Sequence, residues 1–154
     1  NPARPVLAAY GVSPKQMAGI VAICTGIGPL VGLLTIACTM AVRVAWAGQG
    51  VDAHYIVAFF LLYGLPFAYG LGMPVGTLFG IVLALVARWQ GRIAGWMALA
   101  LGVSGWLAWT LWSQGLKLWQ PMPGEDVMWD MLAVHVVSAL ACWRLAVAWA
   151  GLHR

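Results

Sequence analysis

The segment at 13–40 reads SPKQMAGIVAICTGIGPLVGLLTIACTM and decides the fold class. Its first residues predict a helix start, because Ser13 can cap the helix, Pro14 suits the first turn and Gln16 completes a capping box. The apolar run from 17 to about 42 is longer than the stretch of about 20 residues that is needed to cross a bilayer core. A kink is expected at Pro29, which lacks a backbone donor. The segment therefore predicts a membrane-spanning helix.

The composition of the whole chain agrees with this prediction. Of 154 residues, 63% are hydrophobic and 8% are charged, whereas about a quarter are charged in a soluble domain. The net charge of +4 comes from scattered basic residues without the clusters of a nucleic-acid-binding protein. We therefore expect an all-α integral membrane protein. Its expected partners are the lipid bilayer and other transmembrane helices, with no nucleic acid.

Further apolar runs predict a single transmembrane domain over 1–154, a bundle of four helices. The expected spans are about 17–42, 66–88, 93–113 and 127–151. The second run contains GLPFAYGLGMPVG at 64–76, where prolines and glycines predict a break or kink around Pro66 to Pro74. A short interfacial or tilted helix at 53–63 would then precede the span. A broken helix that crosses the bilayer is the alternative.

The distribution of charge predicts the orientation. If the N-terminus is cytoplasmic, the inner side holds Arg4, Lys15, Arg88, Arg92, Arg144 and Arg154. The outer side then holds Arg43 and Lys117 with every acid, namely Asp52, Glu125, Asp126 and Asp130. This excess of inner positive charge predicts a multi-pass protein of the inner (cytoplasmic) membrane with both termini cytoplasmic. No acid is expected within a span, which argues against a carboxylate proton relay.

Small residues form two stripes that predict helix packing. On the first span, Gly28 and Gly32 share a side with Arg43, at about 100° per residue. The third span carries a stripe at 3-4-3 spacing, namely Gly95, Ala98, Gly102 and Gly105. Such residues let helices approach closely.

The stripes and the lack of a catalytic set favour a non-catalytic role. We expect a subunit or assembly partner of a larger membrane complex that packs through its small-residue faces. An alternative from a different functional class is a small transporter or channel component, with its binding site at the interrupted second apolar run. The cysteines Cys24, Cys38 and Cys142 form no C-x-x-C pair, so they are interpreted as apolar filling residues.

The segment MLAVHVVSAL at 131–140 places one histidine inside an apolar run. Its side of the helix is shared by Met128, Met131, Ser138 and Cys142, so His135 is expected to face protein. The candidate cofactor-binding pocket in the outer half of the bilayer consists of His135, His54, Arg43, Trp106 and Trp109.

Three interpretations of His135 stay open. A haem b anchor would use His135 and His54 as axial ligands. Copper(I) would suit His135 with the thioethers of Met131, Met128 and Met122. In the interpretation that we favour, the imidazole N–H is bonded to a hydroxyl or a backbone carbonyl. The purified protein is then expected to be colourless and free of metal.

Overall fold

The computed structural model describes residues 12–48, 52–115 and 125–152, and these residues form four α-helices. In chain order the helices are α1 (Pro14–Trp46), α2 (Ala53–Gln90), α3 (Gly95–Gly115) and α4 (Glu125–Ala150). The described part contains no strand, which confirms the all-α class. Four residues used above lie outside the described residues, namely Arg4, Lys117, Met122 and Arg154.

Helix α1 begins as predicted. The hydroxyl of Ser13 accepts from the backbone N–H of Gln16 at 3.3 Å, and the Gln16 side chain accepts from the backbone N–H of Ser13 at 2.8 Å. The Gln16 amide also donates to the carbonyl of Ala150 at 3.1 Å. This bond joins the start of α1 to the end of α4.

Three of the helices are long and apolar enough to cross a membrane. They are Pro14–Trp46, His54–Gln90 and Met128–Ala150. Their presence supports a membrane-embedded protein. Over its described residues α3, Gly95–Gly115, is not among them.

The second hydrophobic run forms one continuous helix of 38 residues that includes Pro66 and Pro74. The expected break into a helix at 53–63 and a separate span is therefore wrong. Each proline removes a single backbone donor, and packing against α1 supports the helix around both. Between the prolines, the Tyr69 hydroxyl donates to the carbonyl of Gly26 at 2.8 Å. Further along, a Cβ placed on Gly76 would lie 2.6 Å from the α1 backbone.

Helix α1 lies at the centre of the arrangement. It packs against α2 and α4, while α3 packs against α4. The helices therefore follow the spatial order α2, α1, α4, α3, and in the described part α2 shares at most isolated contacts with α3 or α4. The main buried cluster lies where the start of α1 meets the ends of α2 and α4. Its members include Ile20, Cys24, Leu83, Ala84, Ala87, Cys142, Ala146 and Val147.

Candidate functional site

The small residues of α1 pack against α4. A Cβ placed on Gly28 would lie 3.4 Å from the sulfur of Cys142. On Gly32, one turn further, it would lie 3.3 Å from the Ser138 hydroxyl oxygen and from a methyl group of Val134. The two glycines therefore let α4 approach α1 closely.

The small residues of α3 pack against another side of α4. A Cβ on Gly95 would lie 3.0 Å from the Trp143 ring, and one on Gly102 would lie 3.1 Å from the Cβ of Ala139. Ala98, between them, is fully buried. At Gly105 the nearest atom would be Cδ2 of His135, at 3.3 Å. The small residues of α3, from which contacts with other helices were predicted, therefore pack against α4 of the same chain.

An ion pair joins α1 to α4 near the end of α1. The Arg43 guanidinium donates to Oδ1 of Asp130 at 3.1 Å, and the Asp130 side chain is only 7% exposed. Asp130 lies within the apolar stretch Met128–Ala150. Asp130 is the third residue of this stretch, close to its start. The sequence analysis placed Asp130 and Arg43 on the same outer side, and α4 turns this carboxylate towards the Arg43 guanidinium.

Two polar atoms on the α1 side of α4 are buried and have no hydrogen-bond partner in the described part, namely Oδ2 of Asp130 and Oγ of Ser138. An unsatisfied buried acceptor or donor costs about 1–3 kcal/mol. The i, i+4 spacing of Asp130, Val134, Ser138 and Cys142 could have revealed this side from the sequence. The sequence could not have shown that this side of α4 packs against α1.

His135 is half-buried on α4, and its Nδ1 lies 2.7 Å from the carbonyl oxygen of Met131. Because a carbonyl oxygen only accepts, Nδ1 carries the hydrogen and donates it. Nε2 of the neutral ring is then an acceptor. The imidazole N–H is thus satisfied within its own helix.

The tryptophans of α3 border the same part of α4. The indole N–H of Trp106 donates to the carbonyl of Met128 at 3.1 Å. Trp109, nearly one turn later, is half-buried. The Trp106 hydrogen bond holds α3 beside the segment of α4 that carries Met131 and His135.

His54 lies apart from this group. It is exposed near the start of α2, and the centre of its ring lies 4.3 Å from that of Tyr55, with the two rings tilted by 35°. Helix α1 lies between α2, which carries His54, and α4, which carries His135. Haem ligation by His54 and His135 stays a prediction. Among the described residues, no group of three or more His, Cys, Asp or Glu could hold a metal ion. Of the copper candidates, Met128 and Met131 lie on the helix of His135.

A cysteine pair was missed by the sequence analysis. Cys24 of α1 and Cys142 of α4 belong to the same buried cluster, while Cys38 is exposed. The cysteines lie far apart in the chain, so only the packing of α1 on α4 could reveal the pair.

The contacts of α4 thus combine a buried ion pair, a pair of buried cysteines and a histidine with a fixed N–H. None of these groups has the arrangement of a hydrolytic triad. Comparison with models of known protein families, with curated proteins and with solved structures finds no match.

Proposed function

We propose that the chain is a four-span protein of the inner membrane, with both termini cytoplasmic, and a non-catalytic subunit or assembly partner of a larger membrane complex. Helix α3 is included as a span because it runs antiparallel along α4, from Gly95 beside Trp143 to Gly105 beside His135. It therefore shares the depth of an apolar helix. The orientation rests on the excess of basic residues on one side.

The observation that carries the proposed role is the apolar surface of α2. Large hydrophobic side chains are exposed along its length, including Phe59, Leu62, Tyr63, Phe67, Leu71, Val75, Leu78, Val82 and Leu85. From Phe59 to Leu85 this surface extends about 39 Å, at about 1.5 Å per residue. A bilayer core of about 30 Å covers that length only if the helix tilts by about 40°, the upper end of the usual range. A partner protein that covers one end relieves this mismatch.

Aromatic rings identify the end of α2 that a partner would cover. The rings of Phe59 and Tyr63 lie 5.1 Å apart, and both side chains are more than half exposed. Phe60 meets Phe59 edge to face at 6.0 Å. Aromatic side chains are enriched in protein interfaces, where they contribute most of the binding energy. We therefore place the contact with another transmembrane protein at this aromatic cluster, Phe59, Phe60 and Tyr63.

Purification from native membranes in a mild detergent tests the proposal. We expect the chain to elute with a second membrane protein, and Phe59→Ala with Tyr63→Ala to release it. The matched control is Leu85→Ala, which removes an exposed side chain near the other end of α2. A monodisperse monomer without a co-purifying protein would contradict the proposed role.

A small ion or proton carrier is a second candidate, and the buried Asp130 favours it. Ionisable groups inside membrane spans often mark ion pathways. The interrupted second run no longer supports this candidate, because α2 is continuous. Flux driven by a pH gradient into liposomes that contain only this chain would support it, provided that Asp130→Asn abolishes the flux and Asp52→Asn does not. No flux above that of empty liposomes would exclude it.

A further inference from the structure

One end of the helices, the basic end, exposes four basic side chains of the described part. They are Lys15, Arg88, Arg92 and Arg144. Helices α1 and α3 begin at this end, and α2 and α4 end there. The acids of the chain, at 52, 125, 126 and 130, lie at or near the beginnings of α2 and α4. Among the described residues, the basic end therefore has no carboxylate side chain to neutralise its charge.

Two of these residues, Arg92 and Arg144, lie on segments that meet at one tryptophan. The indole N–H of Trp143 donates to the carbonyl of Ile93 at 2.8 Å, and a Cβ on Gly95 would lie 3.0 Å from the Trp143 ring. These contacts place the loop between α2 and α3, which carries Arg92, beside Trp143. The Arg144 guanidinium carbon lies 5.7 Å from the centre of the same ring, within the range of a cation–π contact. The two arginines are thus held close to one fixed indole.

The other two basic residues belong to a different part of the basic end. The Arg88 guanidinium donates to the sulfur of Met17 on α1 at 3.8 Å, and Lys15 lies in the first turn of the same helix. A thioether is only a weak acceptor. Arg88 and Lys15 therefore carry as much charge as Arg92 and Arg144, but they lie where α2 meets the start of α1.

The surroundings of the loop between α2 and α3 indicate which anion its arginine meets. Trp89 and Trp96, on either side of the loop in the chain, are 80% and 68% exposed. Exposed tryptophans of membrane proteins lie at the level of the lipid headgroups. A guanidinium can give a phosphate two parallel hydrogen bonds, and basic pockets between membrane helices bind anionic headgroups. The chemistry and the depth of the loop both fit a lipid phosphate.

We propose that Arg92 and Arg144 together bind the phosphate of an anionic phospholipid beside Trp143. A zwitterionic lipid carries its own cation next to the phosphate, so the site favours a lipid with net negative charge. The bound lipid would join the loop after α2 to the last turns of α4. This inference requires a membrane-embedded chain and is independent of the proposed role in a complex.

Native mass spectrometry of the full chain tests the proposal. The purified protein in detergent is mixed with equal amounts of phosphatidylglycerol and phosphatidylcholine, and the lipids that stay bound are identified by mass. We expect the wild type to retain phosphatidylglycerol in preference. Arg92→Gln with Arg144→Gln should lower this preference by about tenfold or more, because two basic contacts with the headgroup are lost.

The matched control is Lys15→Gln with Arg88→Gln, which removes the same charge from the same end and should leave the preference nearly unchanged. All four side chains are exposed, so the circular dichroism of both double variants should match that of the wild type. Equal retention of the two lipids by the wild type would refute the proposal. An equal loss in both double variants would also refute it, since the attraction would then be diffuse. Displacement of the lipid by inorganic phosphate at the same concentration would show a site for free anions instead.

Discussion

Replacement of Arg43 by leucine would leave the Asp130 carboxylate buried between α1 and α4. The Asp130 side chain is 7% exposed and accepts a hydrogen bond from Arg43 at 3.1 Å. Its other oxygen already lacks a partner. Removal of one member of a buried ion pair costs about 3–5 kcal/mol. We therefore expect Arg43→Leu to lower the free energy of unfolding by about that amount.

The opposite replacement, Asp130→Leu, should cost less. The Arg43 side chain is 39% exposed, so its guanidinium can reach water or lipid headgroups while its stem stays against the helix. The same change removes an unsatisfied carboxylate oxygen. We expect a loss of about 1 kcal/mol or less, because the guanidinium that remains is partly exposed. In the double variant, two apolar side chains replace the pair, and its stability should lie within about 1 kcal/mol of the wild type.

The assay is reversible unfolding in mixed micelles of increasing sodium dodecyl sulfate content, followed by tryptophan fluorescence and circular dichroism. Together the variants form a double-mutant cycle, and we expect a coupling free energy of at least about 2 kcal/mol. Equal losses from the two single variants that add up in the double variant would refute the reasoning. In that case Asp130 would be solvated and the pair would have no energetic role.

Three further predictions concern topology, packing and the histidine. Reporter fusions after Gly48 and after Gly124 should both indicate the outside, and a cytoplasmic signal from either would contradict the four-span topology. Gly76→Ala should lower stability by about 1–3 kcal/mol, because its Cβ would lie 2.6 Å from a carbonyl oxygen of α1. Gly70→Ala is the matched control, since nothing lies within 4 Å of its Cβ, and unfolding should show no loss. His135→Asn should fold normally, and the wild-type protein should be colourless and contain no metal; a Soret band or stoichiometric copper would overturn the structural interpretation.

Local sequence features predicted the helices because their causes are local. The capping box at Ser13 and Gln16 depends on residues three apart, and the structure reproduces both of its hydrogen bonds. The apolar runs likewise predict long helices from their own composition. By contrast, a break in α2 was predicted from the intrinsic cost of prolines. That cost is local, but the contacts with α1 that offset it are not.

The sequence by itself determined that this is an all-helical protein with membrane-length apolar helices, because hydropathy and capping act within one segment. Only the tertiary structure decided which side chains meet. The sequence placed Asp130 and Arg43 on the same outer side but did not show that they meet, and it gave no sign that Cys24 and Cys142 lie in one buried cluster. The same packing order places α1 between the helix of His54 and the helix of His135. A sequence shows which residues share a side of a helix, but the rotation and neighbours of each helix follow from the packing of all of them together.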